Sequence, residues 1–219
     1  MCLDSVPGLS KPRYNFNRAV RAIVADVAKR LPEFAHIRAS QILVVAGEAR
    51  RASRATVKPL CFGGGKLEDS SGRCKPRVEV KGRRMLYCIT LRPLFFRCST
   101  PQARVATLLH ELFHISRDFD GTLDPGRRHH LAGETFEASL IPLVQRYLSS
   151  SPASTVEALG HHGEVSIWHW LEKPVASYLP RQDKVRTSYT EAQLFLGQVQ
   201  MLTSPASPPS EWPDEPSVH

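Results

Sequence analysis

Thr100 to Ile115 reads Thr-Pro-Gln-Ala-Arg-Val-Ala-Thr-Leu-Leu-His-Glu-Leu-Phe-His-Ile, and it has the marks of one amphipathic helix. Val105, Leu108, Leu109, Leu112 and Phe113 follow the i, i+3, i+4, i+7, i+8 spacing of a core-facing stripe. Thr100 is placed to cap the first turn, and Pro101 suits the first helical position, where a missing N–H costs nothing. The helix is expected to run to about Arg117. On such a helix His110 and His114, four residues apart, stand one above the other and turn two imidazoles toward one point. Glu111 follows the first of them, close enough to serve a water at that point without occupying it. His-Glu-x-x-His on a helix is the pattern of a zinc hydrolase, with histidines as ligands and the glutamate as general base.

Two imidazoles do not complete such a site, because a catalytic zinc takes three protein ligands and keeps one position open. The third has to come from downstream. After the helix, Asp118-Phe119-Asp120-Gly121 and Asp124-Pro125-Gly126 carry turn chemistry, leading to His129 and His130 at the end of a loop. A second helix is expected to start near Gly133 and Glu134, with Phe136, Leu140, Leu143, Val144 and Tyr147 as its buried stripe and Pro142 kinking or dividing it. The gaps from His114 to His129 and His130 are similar to those of the SprT-like proteases, and the gap to Glu134 resembles that of the thermolysin-like enzymes. A histidine is favoured, His129 ahead of His130, with Glu134 as the remaining alternative. Asp118, Asp120 and Glu137 could orient an imidazole, and Arg127, Arg128 or Tyr147 could meet an oxyanion. Solvated turns and packing are the simpler roles for all six. His161-His162 stands apart from other ligand types and reads as an exposed loop pair.

The rest of the chain supplies a scaffold. Asn17 to Leu31 is a packing helix stopped by Pro32, and Gln41 to Ala46 contains the buried-strand run Ile42-Leu43-Val44-Val45. Residues 56–62 suit a second strand. Gly63-Gly64-Gly65-Lys66 lacks the spacing of a phosphate-binding loop and reads as a hairpin loop. Arg77–Val80 and Met85–Leu91 are expected to form a hairpin about Lys81-Gly82, ended by Pro93. Glu164 to Leu171 is a candidate strand with Trp168 and Trp170 on one face, and Thr190 to Gln193 is a capping box for a short helix ending at Gly197. A helix bearing the motif against a small mixed or antiparallel sheet, with a second helix behind, is an α+β layout. The divisions expected are an irregular arm over 1–14, a catalytic domain over 15–150, a Ser-rich linker opening an extension over 151–203, and a disordered tail over 204–219.

Composition narrows the setting. The 219 residues carry 23% charged and 42% hydrophobic side chains, ordinary for a globular protein, and a net charge of +8. The basic residues are scattered, which suits a solvated surface and leaves room for weak nucleic-acid association. The five cysteines form no Cys-x-x-Cys pair, so a zinc ribbon is not indicated, and their odd number fits reduced thiols in a cytoplasm. No signal sequence or apolar run of membrane-spanning length is visible, so no membrane partner is expected.

Leu109-His110-Glu111-Leu112-Phe113-His114-Ile115-Ser116, Phe119-Asp120-Gly121, Met85-Leu86-Tyr87, Tyr189-Thr190-Glu191 and Leu194-Phe195-Leu196 together resemble a family of uncharacterised metallopeptidases of bacteria and phages. The resemblance extends over about residues 40 to 200. It implies a zincin-like fold, Zn²⁺ as cofactor, and hydrolysis of a peptide or protein substrate, and it carries His110, Glu111 and His114 over to this chain. The third ligand does not carry over, because the loop before the second helix varies in length. Two other readings stay open: a DNA-associated, SprT-like protease or nucleic-acid-binding module, and a non-catalytic protein with structural zinc.

Overall fold

A computed structural model describes residues 14–47, 54–127, 129–157, 159–174, 179–180 and 188–201. Strand β1 (Tyr14–Asn15) leads into α1 (Phe16–Arg30), followed by β2 (Ile42–Ala46) and β3 (Ala55–Pro59). Four short strands come next: β4 (Arg73–Cys74), β5 (Arg77–Val80), β6 (Arg83–Arg84) and β7 (Tyr87–Leu91). The helices α2 (Pro93–Cys98), α3 (Pro101–Phe113), α4 (His129–Ser150) and α5 (Ala153–Glu157) precede β8 (Gly163–Trp170), β9 (Leu179–Pro180), β10 (Ser188–Tyr189) and β11 (Leu194–Met201). None of the described helices is long and apolar enough to cross a membrane.

The organising element is a six-stranded mixed sheet in the order β1-β8-β2-β7-β3, with β11 also paired to β8. β2 runs parallel to β7 and β8, whereas β3 and β11 are antiparallel to their neighbours. The uninterrupted apolar run of β2 follows from its position. Ile42, Val44 and Ala46 face the helices, in one core with Val20, Leu108 and Leu140. Leu43 and Val45 face the other way, in a smaller core with Val78, Met85 and Tyr189. A strand covered on both faces has no polar side to show. β8 obeys the same alternation: Val165 and Ile167 join the helical core, while Trp168 and Trp170 pack on the smaller one. The fold is α+β.

β8 and β2 pair only at Ala46 and His169, so the two strands splay. Asn17, on the first turn of α1, fills the gap with its amide. Its Nδ2 donates to the Val44 carbonyl at 2.6 Å and its Oδ1 accepts from the Trp168 N–H at 2.7 Å. Backbone groups that would otherwise be buried without partners are thereby satisfied.

Several local expectations change in this context. The hairpin about Lys81-Gly82 is confined to β5 and β6, and Tyr87–Leu91 leaves it to lie between β2 and β3. Pro93 ends β7 and also opens α2. α3 stops at Phe113, four residues short of Arg117, and α4 starts at His129 instead of Gly133. Pro142 does not divide α4. The Ser-rich linker contains α5. The Thr190 capping box is present, but it closes a single 3₁₀ turn, and the chain then extends into β11 with Gly197 in mid-strand. A Cβ on Gly197 would lie 2.4 Å from the His169 ring, so packing across the sheet accounts for that glycine. The tail over 204–219 and most of the arm over 1–14 lie outside the described residues.

Candidate metal centre

α3 is built as its sequence demands. The Thr100 side chain accepts from the Ala103 N–H, Pro101 is the first helical residue, and the stripe from Val105 to Phe113 is buried. The helix also buries Arg104 completely, its guanidinium donating to the Leu159 carbonyl and the Ser99 hydroxyl and so tying α3 to the chain just beyond α5. His114 is the C-cap residue, still in the helical region at φ −71° and ψ −18°. It therefore keeps its place one turn beyond His110 although the helix proper has ended.

The imidazoles converge. The Nε2 atoms of His110 and His114 lie 3.3 Å apart, with the rings nearly perpendicular at 79°. Two nitrogens each 2.0–2.1 Å from one tetrahedral ion would be separated by roughly 3.3–3.4 Å. The pair thus has the spacing that a zinc ion requires of two ligands. Phe136 of α4 supports both rings, stacked on His114 with centroids 4.8 Å apart and edge-on to His110 at 5.0 Å. Glu111 is only 6% exposed, a position where a carboxylate is retained when a cation or hydrogen-bond donors meet it.

The second ring is also oriented. His114 Nδ1 lies 2.6 Å from the carbonyl oxygen of Arg127. A carbonyl only accepts, so Nδ1 carries the proton, and in the neutral form of the ring the lone pair is at Nε2. This is how metal-binding histidines are commonly set. The loop delivers that carbonyl by folding back along the helix end. Asp124 N–H donates to the His114 carbonyl at 2.8 Å, Ile115 and Leu123 form a bridge, and the Arg127 guanidinium donates to the Phe113 carbonyl at 2.9 Å. Burial lowers the pKa of Arg127, Asp124 opposes that shift, and the nearby charge of Arg117 adds to it.

Three of the family-like segments meet around this loop. Tyr87 Oη donates to the Thr122 carbonyl and accepts from the Gly121 N–H, both at 2.9 Å. The Tyr87 ring packs on Phe119 at 5.0 Å, and burial drives the phenol pKa far above its ordinary range. Gly121 adopts φ +89°, and a Cβ there would sit 1.8 Å from the Cys61 sulfur.

The secondary candidates separate clearly. Asp120 accepts from Thr122 and from the Gly64 N–H. Desolvation would raise its pKa, and these bonds outweigh it to leave the carboxyl below its usual range. It anchors the glycine loop and does not orient an imidazole. Asp118 is exposed. Arg127 is committed to Phe113 and Asp124, and Tyr147 Oη donates to Asp26 on α1, so neither is aimed at an oxyanion. His161 stacks on Tyr14 at 4.4 Å, beside β1. The backbone places His129 and His130 in the first turn of α4 and Glu134 in the second. Their side chains, with those of Arg128 and Glu137, lie outside the described residues. Among the described residues no three His, Cys, Asp or Glu side chains form a metal-binding group.

Two cavities of similar size are found among the described residues. One, about 490 Å³, is bounded by Phe113, Arg127, Phe136 and Leu143, of which Phe136 packs on both histidines, while His110, Glu111 and His114 are not among its lining residues. The other, about 510 Å³, lies at Phe62, Lys66 and Asp69 on a loop without histidine.

A family model described as "Putative phage metallopeptidase" matches residues 13–135, more than half of the chain. The chain belongs to that family. The match takes in β1 through the second turn of α4, and so spans the histidine pair, the Tyr87-pinned loop and all three candidates for a further ligand. Neither the curated proteins nor the solved structures returned a match.

Sequence reasoning overlooked Phe136 as the support of both histidines and the Arg127 carbonyl as the acceptor for His114. The first has a signal in the α4 stripe. The second is a backbone atom, invisible to residue type.

Proposed function

We propose that this member of the phage metallopeptidase family is a zinc-dependent peptidase of zincin-like build. The 3.3 Å separation of the His110 and His114 Nε2 atoms, beside a buried Glu111, carries the reading. His110 and His114 would hold Zn²⁺ through Nε2, with a third ligand from the start of α4. His129 is favoured there, with His130 and Glu134 as alternatives. The ion when bound supplies Lewis acidity, which makes a water more acidic and polarises a carbonyl. Glu111 would take the proton from the attacking water and pass it to the departing amine of a peptide or protein substrate. The Arg127 carbonyl and the Phe136 ring would keep His114 from turning away.

The test is Glu111→Gln, which keeps size and removes the base. Zinc content should stay at the wild-type level, and hydrolysis of a fluorogenic peptide pool should fall by about 10²–10⁴-fold. Full activity in this variant would sink the mechanism.

A further inference from the structure

We propose that Arg127 is a positioning residue that fixes His114 and the start of α4 together. The inference rests on the peptidase reading only in calling His114 a ligand. Arg127 is 9% exposed and is held from both ends. Its guanidinium donates to the Phe113 carbonyl at 2.9 Å, lies 3.3 Å from Asp124 Oδ2, and covers the Phe113 ring at 4.0 Å. Its N–H donates to the Asp124 carbonyl at 3.2 Å, and Asp124 is itself bound to the His114 carbonyl. The carbonyl of the same residue receives the His114 Nδ1 proton.

The side chain and the main chain of one residue therefore grip the same end of α3. The side chain satisfies a carbonyl at the helix terminus, where a cation is favoured. The main chain is then held in place to accept from the imidazole. His129 begins α4 only two residues later, so the same clamp sets where that helix starts relative to His114. Without the guanidinium, the 127 carbonyl loses its side-chain anchor, and the hydrogen bond that fixes the proton at His114 Nδ1 weakens even though Phe136 still stacks on the ring.

The experiment compares wild type with Arg127→Met, which keeps the apolar stem, Arg127→Lys, which keeps a charge without the fork, and Asp124→Asn. Zinc affinity is measured by competition with a chromophoric chelator. The His114 tautomer in metal-free protein is read from imidazole ¹⁵N shifts. Arg127→Met should weaken zinc binding by about 10–100-fold, the usual effect of losing an outer partner of a ligand. It should also turn the Nδ1–H form of His114 into a mixture. Arg127→Lys should recover part of both, because a point charge reaches one carbonyl but cannot fork. Folded Arg127→Met with unchanged zinc affinity and an intact Nδ1–H tautomer overturns the proposal. If that variant does not fold, Asp124→Asn decides: a few-fold weakening supports the clamp, and no change removes it. Absence of zinc binding in wild type defeats the peptidase reading instead, while the tautomer comparison still reports on Arg127.

Discussion

Tyr87 and Gly121 are joined across 34 residues by a 2.9 Å hydrogen bond from the Gly121 N–H to the Tyr87 hydroxyl, which in turn donates to the Thr122 carbonyl. One phenol on the interior strand β7 thus satisfies two backbone groups of the loop that follows the histidine pair. Tyr87→Phe keeps the ring and leaves both groups without it. The expected cost is about 1–3 kcal/mol, read as a lower denaturation midpoint in urea. A midpoint equal to wild type would mean that water replaces the hydroxyl and the loop does not depend on it.

Gly121 tolerates no side chain, by conformation and by contact. Its φ of +89° is a region that glycine occupies readily, and the missing Cβ would overlap the Cys61 sulfur. Gly121→Ala should destabilise the protein by about 2–5 kcal/mol, combining backbone strain with overpacking. In Cys61→Ala the overlapping atom is gone, so Gly121→Ala should cost less in that background, the conformational share remaining. Equal costs in both backgrounds would show that the contact is not the cause.

For the centre itself, metal content should sort the ligands. Purified wild type should hold one zinc, and His110→Ala or His114→Ala should lose it. Among His129→Ala, His130→Ala and Glu134→Ala, one variant should fall with them, while the other two keep their zinc. Full zinc occupancy in His114→Ala would contradict the assignment of that pair.

Stability should also depend on pH through His36 and His169, neither of which is a candidate ligand. The Nε2 atoms of His36 and His169 are buried and have no partner among the described residues. Desolvation holds the pKa of each below the ordinary 6.5. For His36 the charge of Arg127 lowers it further and a backbone hydrogen bond at Ile115 opposes that. With folded pKa values below the unfolded ones, the unfolded chain binds protons first on acidification. This contribution to stability is complete above about pH 6.5 and is lost as pH falls through the unfolded pKa toward the folded one. Urea midpoints with chelator present should therefore drop between pH 7.5 and 5.5. The double variant His36→Gln, His169→Gln should show a shallower drop, and an unchanged slope would remove these groups as the cause.

Local sequence carried a good part of this molecule. α1, β2 and the capped α3 form where periodicity and caps placed them, because those features depend on residues a few positions apart. The separation of His110 from His114 follows from helix geometry alone. Pairing and termination behaved otherwise. Tyr87–Leu91 alternates as a hairpin arm would, yet it gains more by lying between β2 and β3, with Tyr87, Ile89 and Leu91 in the helical core. α3 stops at Phe113 because Asp124 and Arg127, which follow it by more than ten residues, take up its terminal carbonyls. The Thr190 box starts a turn but cannot hold a helix against the full-length pairing of β11 with β8. Sequence by itself determined which residues can coordinate and which face of each element is apolar, since both are properties of side chains and their spacing. Only the tertiary structure decided what covers those faces and which atom orients His114. That atom is a backbone carbonyl, common to every residue type, and chain folding alone brings it within reach.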